Sequence, residues 1–203
     1  MTPRLLVITD WSLPRPRLLG ALERALEVGP EVAVQHRHPE APVRQFLEEA
    51  RVLAALCQAR GNPLFINGRL DVALLLGAHL HLPAHGLRPA DVRPHLPASC
   101  RVSVAVHDER EAREARGADL ALVSPVFSPG SKPDDSRPVL GPEGFARLAA
   151  LLPCPALALG GLTPERAASL AGAAGVAVIS GVLRAGDPAL AARAFCPSPS
   201  RGR

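Results

Sequence analysis

The sequence contains no tyrosine, and aromatic residues make up only 3% of its 203 residues. Among its 23 basic residues there is a single lysine, Lys132, and the arginines are scattered rather than clustered. Proteins that bind nucleic acid typically show a basic stripe or stacking aromatic side chains. The formal net charge of +4 therefore does not indicate a nucleic-acid partner.

The chain also has no uninterrupted apolar run of the ~18 residues that cross a membrane. Its first apolar run, residues 5–8, is too short for the apolar region of a signal peptide and is not followed by a small-residue cleavage site. We therefore expect a cytoplasmic protein with no membrane partner. The apolar fraction of 47% excludes a disordered chain, and the length fits one domain better than two.

The cysteines and histidines also lack the sequence spacing that is typical of a metal site. The four cysteines, Cys57, Cys100, Cys154 and Cys196, form no pair with metal-ligand or redox spacing, so we expect them to be reduced and buried. His79 and His81 share one face of a short apolar run, but no carboxylate lies close in sequence. We interpret both histidines as structural and predict no metal site.

Short apolar runs alternate regularly with longer amphipathic segments. The runs lack a clean alternation of polar and apolar residues, which is typical of parallel strands covered on both faces. The predicted strands are 5–9, 32–35, 64–66, 79–82, 102–106, 120–123, 156–159 and 176–179. The predicted helices are 16–27, 43–60, 70–76, 89–96, 109–116, 142–152, 164–171 and 188–195.

Eight strand–helix units predict an α/β fold, a single-domain (β/α)₈ TIM barrel over residues 1–196. A doubly wound open sheet is the alternative, but it normally has fewer strands and a glycine-rich phosphate loop after the first strand. The residues after the first run, Thr9-Asp10-Trp11-Ser12, contain no glycine. The Pro/Ser/Arg-rich segment 197–203 is predicted to be a disordered tail.

A barrel carries its active site at the carboxyl ends of its strands. Polar residues follow the predicted strands and are expected to meet at one mouth: Thr9, Asp10, Gln35, His36, Arg37, His38, Asn67, His107 and Ser124. Of these, Gln35 and Asn67 are predicted to contact a substrate. Arg37 is either a bidentate clamp for an anion or a surface arginine. His107 is either a proton-transfer group or a surface residue.

The last two strands predict a phosphate site. Gly160-Gly161 follows the seventh run and Ser180-Gly181 follows the eighth, so that backbone N–H groups are exposed beside helix N-termini. Tight turns are the alternative explanation of these glycines. The long loop 125–141 is either a substrate lid, with Lys132 and Ser131 contacting an anionic group, or a surface excursion.

Five segments resemble the thiamine phosphate synthase/TenI superfamily. They are LLVITD, VQHRHP, FINGRLDVALLLGAHLHLP, VAVHDEREAREARGADLALVSPVF and ALGGLTPERAASLAGAAGVAVISGVL, and they span nearly the whole chain. One branch of the superfamily, thiamine phosphate synthase, joins a hydroxymethylpyrimidine diphosphate to a thiazole phosphate and needs Mg²⁺. The other branch, the thiazole tautomerase, aromatises a carboxythiazole phosphate.

The residues that follow the third and fourth runs separate the two branches. Thiamine phosphate synthase carries acidic residues there, whereas this chain has Asn67-Gly68-Arg69 and Pro83-Ala84-His85-Gly86. Magnesium prefers oxygen ligands, so the loss of carboxylates disfavours the synthase. The resemblance then implies a metal-independent and cofactor-independent tautomerase that acts on a small phosphorylated thiazole. Its catalytic histidine falls on His107, and Lys132 or Arg37 would hold the ring carboxylate.

Thiamine phosphate synthase, with Mg²⁺, remains the alternative function, as does a phosphate-binding relative without catalytic activity. The sequence leaves open whether the barrel forms a homodimer.

Overall fold

The computed structural model describes residues 1–128 and 138–196, in which parallel strands alternate with helices. The strands are β1 (Leu5–Ile8), β2 (Val32–His36), β3 (Leu64–Asn67), β4 (His79–Leu82), β5 (Val102–Val106), β6 (Leu120–Val123), β7 (Ala156–Leu159) and β8 (Ala173–Val178). The helices are α1 (Arg15–Leu26), α2 (Val43–Gln58), α3 (Leu70–Leu76), α4 (Pro89–Val92), α5 (Glu109–Glu114), α6 (Gly141–Leu151), α7 (Pro164–Ala168), α8 (Ser180–Leu183) and α9 (Pro188–Phe195). A 3₁₀ turn, Arg93–His95, follows α4.

The eight strands close into a barrel in chain order, each parallel to its neighbours, and β8 pairs with β1. This arrangement confirms the predicted (β/α)₈ TIM barrel and excludes an open sheet. Closure brings all the strand carboxyl ends to one rim, which we call the mouth.

Side chains alternate between two hydrophobic layers. Inside the barrel the strands contribute Leu6, Ile8, Ala33, Phe65, Leu120, Leu122, Leu157 and Ala177. Their sequence neighbours, such as Leu5, Val7, Val32 and Val34, point outward and pack against the helices. Both faces of each strand are therefore buried, which explains why the apolar runs in the sequence lack alternation.

Three features differ from the sequence expectation. β8 begins at Ala173, three residues before the predicted run, because its first residues are small and carry little strand propensity. The short helix α8 was not predicted, since it has only four residues and includes Gly181. α2 and α7 end two and three residues earlier than expected. The predicted tail 197–203 and most of the loop 125–141 lie outside the described residues. No helix among the described residues is long and apolar enough to cross a membrane.

Barrel closure makes one glycine sterically necessary. A Cβ atom on Gly175 in β8 would lie 2.5 Å from the carbonyl oxygen of Arg4, whereas one on Gly20, on the exposed side of α1, would meet nothing within 4 Å. Gly175→Ala should therefore lower the free energy of unfolding by about 1–3 kcal/mol. Gly20→Ala should raise it by about 0.5–1 kcal/mol, because alanine favours the helix. Urea unfolding of the two variants measures both values, and equal stabilities would contradict this account of closure.

Candidate functional site

Four polar side chains line the mouth across adjacent strands β2 to β5, and we call them the polar arc: Gln35, Asn67, His81 and Ser103. In the barrel register Asn67 lies opposite His81, and His81 lies opposite Ser103. The Asn67 amide donates to Gln35 Oε1 at 3.1 Å, and His81 Nδ1 lies 2.9 Å from Ser103 Oγ. The other half of the interior at this level is apolar, with Ile8, Leu122, Leu159 and Ile179. The mouth thus has one polar side and one apolar side.

Gln35 is the buried donor of the polar arc. Its side chain is only 1% exposed, and its oxygen accepts the hydrogen bond from Asn67. Its amide nitrogen, Nε2, has no hydrogen-bond partner within the described part of the chain. A buried amide N–H without a partner is costly, so this group is suited to donate to a ligand acceptor.

Arg37 is held at the mouth by Thr9. The Thr9 hydroxyl accepts from the Arg37 backbone N–H at 2.9 Å and donates to the Arg37 carbonyl oxygen at 3.1 Å. These two bonds fix the backbone of Arg37 just beyond β2. The structure therefore places Arg37 beside the polar arc, where its charge lowers the pKa of the buried His81.

His81 remains neutral inside the barrel. Burial lowers the pKa of His81 to about 3, and the positive charges of Arg37 and His107 add to the effect. Its contact with Ser103 supports the structural role predicted from the sequence.

His107 lies beyond β5 and contacts Glu111 in the first turn of α5. Glu111 Oε2 accepts the backbone N–H of His107 at 2.8 Å and also lies 2.8 Å from His107 Nδ1. Asp108 caps α5 by accepting the Glu111 N–H at 2.8 Å, which holds Glu111 over the imidazole. The sequence analysis missed Glu111. The signal for it is its position four residues after His107 and three residues after the N-cap aspartate, Asp108.

An amide cup stands on the opposite side of the mouth, formed by the backbone of Gly160, Gly161, Ser180 and Gly181. Within the described residues their N–H groups make no backbone hydrogen bond, whereas the carbonyl oxygen of Gly160 accepts from Phe127 and that of Gly161 from Arg166. The two loops follow neighbouring strands, β7 and β8. Free N–H groups from both loops are suited to bind one anion.

Tight packing of the turns, the alternative explanation of these glycines, holds for Gly161. A Cβ atom on Gly161 would lie 2.4 Å from the carbonyl oxygen of Ser128, and the backbone φ angle of Gly161 is +57°. Gly161 is therefore required by the close approach of the segment after β6, whether or not an anion binds.

Of two histidines that were expected at the mouth, His36 lies elsewhere, whereas His38 lines a cavity beside Asn67. His36 is fully buried and points toward α2, with Nε2 lying 3.2 Å from the carbonyl oxygen of Phe46. His38 Nδ1 contacts Glu49 Oε2 at 2.8 Å, and its ring stacks on Trp11. The expectation that every polar residue after a strand faces the mouth is wrong for His36, because it occupies the outward position next to the inward Gln35.

A small cavity of about 190 Å³ opens between the ends of β2 and β3. Its lining includes His38, Asn67, Gly68 and Arg69. Arg69 forms a two-point ion pair with Asp71, with nitrogen–oxygen distances of 3.0 and 2.6 Å. The cavity extends the polar side of the mouth beyond Asn67.

The described residues do not fit a magnesium ion. They contain no group of three or more His, Cys, Asp or Glu side chains placed to hold a metal. Carboxylates around the ends of β1 to β5 are engaged by neighbours: Asp10 by Arg184, Glu49 by His38, Asp71 by Arg69, Asp108 by the Glu111 N–H and Glu111 by His107. After β3 and β4 the chain offers Gly68, Pro83 and Gly86 in place of the oxygen ligands that magnesium prefers. Lys132 and Ser131, both predicted to contact an anion, lie outside the described residues.

Comparison with known proteins identifies relatives over almost the whole chain. A family model described as thiamine monophosphate synthase matches residues 5–182. Thiamine-phosphate synthase from Chloroflexus aurantiacus is 37% identical over 94% of this chain and 89% of its own length. Thiamine-phosphate synthase from Moorella thermoacetica is also 37% identical, over 93% of this chain and 91% of its own length. The solved structure of thiamine phosphate pyrophosphorylase from Pyrococcus furiosus has a TM-score of 0.80 at 30% identity and covers 95% of this chain and 93% of its own.

These relatives correct the predicted branch. The prediction of a thiazole tautomerase, an isomerase, is wrong, because the similar proteins are named thiamine-phosphate synthase or thiamine phosphate pyrophosphorylase. The prediction gave more weight to two missing carboxylates than to the similarity of the whole chain. The resemblance to the wider superfamily is confirmed.

The two buried histidines predict how stability depends on pH. Burial lowers the pKa of His36 to about 4 and that of His81 to about 3, whereas both have a pKa of about 6.5 in an unfolded chain. Between these values the unfolded chain binds protons that the folded chain does not. Stability is therefore fully present above about pH 6.5 and should fall toward pH 4, by up to about 1.4 kcal/mol per pH unit for each histidine.

Urea unfolding at several pH values tests this dependence with two matched variants. His81→Gln should reduce the slope, because it removes one of the two buried imidazoles. His85→Gln, at an exposed loop position, should leave the slope unchanged. Equal slopes in both variants would show that His81 does not titrate as its burial requires.

Proposed function

The chain belongs to the thiamine monophosphate synthase family, and on that premise we propose that it is a transferase that makes thiamine phosphate. It would join a hydroxymethylpyrimidine diphosphate to a thiazole phosphate and release diphosphate. The names of the relatives support this reaction. The geometric observation that carries the proposal is that one mouth contains two separate binding surfaces, the amide cup and the polar arc with Arg37.

The amide cup is suited to the phosphate of the thiazole. An ester phosphate is anionic, and the free N–H groups of Gly160, Gly161, Ser180 and Gly181 can each donate to its oxygens. Backbone donors on rigid loops bind without losing side-chain entropy. In this arrangement the thiazole ring extends from the cup over the apolar half of the interior.

The polar arc is suited to the pyrimidine diphosphate. A pyrimidine ring has nitrogen acceptors, and Gln35 offers a buried amide donor without a partner in the described residues. Arg37, fixed by Thr9, carries a positive charge at the same side of the mouth. A guanidinium group can bind a phosphate oxygen pair in a bidentate manner. We therefore assign the diphosphate to the side of Arg37, with Asn67 beside it; Lys132 and Ser131 stay predicted contacts.

A second candidate is a relative that binds phosphate without catalysing the transfer. The specific observation in its favour is the absence, in the described residues, of carboxylates suited to magnesium at the ends of β3 and β4. The two candidates differ in whether product forms when both substrates are present.

The direct test is incubation of the full-length protein with both substrates, with and without added magnesium. Thiamine phosphate is followed by mass spectrometry and diphosphate by a coupled assay. Product should form, and Arg37→Gln should reduce kcat/KM by about tenfold or more, because the diphosphate loses a charged contact. Arg44→Gln, on the exposed face of α2, is the matched control and should retain activity. Binding of thiazole phosphate with no product under either condition would establish the second candidate instead.

The amide cup makes a separate prediction about affinity. Ser180→Asp adds a negative charge beside the bound phosphate and should weaken thiazole phosphate binding by at least about tenfold. Ser180→Ala keeps the backbone N–H group and should stay within about threefold of the unchanged protein. Calorimetric titration with thiazole phosphate measures both affinities. Equal affinities for the two variants would place the phosphate elsewhere.

A further inference from the structure

The contact between His107 and Glu111 fixes which imidazole nitrogen carries a proton. Glu111 Oε2 already accepts the backbone N–H of His107, and it lies 2.8 Å from Nδ1 of the same residue. An ionised carboxylate can only accept hydrogen bonds, so Nδ1 must be the donor. When the imidazole is neutral, its unprotonated nitrogen is then Nε2.

The local fold enforces this arrangement. Every second residue of β5 and its extension shares one face, which carries Ser103, Ala105 and His107. The side chain of His107 therefore leaves the strand on its interior side. Glu111 is held from behind by the Asp108 cap, and its side chain is only 12% exposed. Both partners are mostly shielded from solvent, because the side chain of His107 is 19% exposed. Their contact is therefore stronger than a surface ion pair of the same length.

The charged groups around the pair are few. Arg110 approaches the other oxygen of Glu111 at 3.8 Å, but its side chain is largely exposed. On the inner side His81 is neutral, and Arg37 lies close enough to His81 to influence its titration.

We propose that Glu111 is a positioning residue that keeps the Nδ1 proton on His107 and leaves Nε2 as the nitrogen that exchanges protons with substrate at the mouth. The catalytic part of this inference rests on the proposed transferase function. In that reaction the bond between the pyrimidine methylene carbon and the diphosphate oxygen breaks, and its electron pair stays on that oxygen. The thiazole nitrogen forms the new carbon–nitrogen bond with its lone pair. Protonated His107 gives its Nε2 proton to the departing diphosphate and recovers a proton from water.

A purely structural role for Glu111 is the competing explanation. In that case the carboxylate only accepts the backbone N–H of His107 and closes the end of β5. Glu111→Gln separates the two roles, because glutamine keeps an oxygen for the backbone N–H but lacks the charge that holds the Nδ1 proton. The fold should persist in this variant, and only the preference between the two neutral forms of the imidazole should change.

The first test is nitrogen NMR of the full-length protein labelled at the histidine rings. In the unchanged protein the neutral His107 ring should show a protonated Nδ1 and an unprotonated Nε2. In Glu111→Gln this preference should be lost. Glu114→Gln is the matched control, because Glu114 lies on the same helix and pairs only with exposed Arg110 among the described residues. A protonated Nε2 on neutral His107 in the unchanged protein, or the same spectrum in Glu111→Gln, would overturn the proposal.

The second test is the transfer assay. Glu111→Gln should lower kcat by about ten- to a hundredfold while KM for both substrates stays within about twofold, since the residue acts on proton transfer and not on binding. A rise in KM for both substrates with an unchanged kcat would overturn the positioning role of Glu111 in catalysis. An unchanged protein that shows the Nδ1-protonated ring but makes no product would overturn the proposed function while the positioning by Glu111 would stand.

Discussion

The register between β3, β4 and β5 is the constraint on which the site depends. It pairs Asn67 with His81 and His81 with Ser103, so the three side chains face the interior. There Asn67 hydrogen-bonds to Gln35, and His81 contacts Ser103. A slip of one residue in any of these strands would turn the polar side chain toward the helices. The polar arc is therefore a property of strand pairing, and the apolar residues that fix the pairing also fix the site.

Much of the fold is readable from the sequence because parallel strands buried on both faces leave a simple pattern. Eight apolar runs appear at regular spacing, and the strand predicted at 79–82 coincides with β4 (His79–Leu82). The start of β8 was not readable, because Ala173 and Gly175 have weak strand propensity and are held in place by the backbone of β1. Local sequence patterns do not indicate such contacts, because barrel closure joins residues that are far apart in the chain.

The site was predictable at the level of the mouth but not at the level of each side chain. Polar residues after the strands predicted Gln35, Arg37 and Asn67 as substrate contacts and His107 as a proton-transfer group, and these roles stay predictions. The structure joins Gln35 and Asn67 by a hydrogen bond. Strand alternation should also have separated Gln35 from His36, which packs under α2. Glu111 was missed although it lies four residues after His107, because that spacing alone does not show that its carboxylate turns back toward the imidazole. The choice of family branch failed for another reason: the replacement of two carboxylates changes one subsite, whereas identity over the whole chain reflects the fold and every other subsite.

The charge distribution of the mouth follows from how its carboxylates are used. Asp10 and Asp71 form ion pairs with Arg184 and Arg69, and Glu49 and Glu111 contact His38 and His107. The field there is set by Arg37 on one side and by backbone N–H groups on the other, and both favour anions. Two anionic substrates bound at these opposite sides repel each other less than they would in a shared pocket, because Coulomb repulsion falls with distance. Under the proposed function, their uncharged rings would face each other over the apolar side chains of Leu122, Leu159 and Ile179, which would exclude water from the reacting atoms.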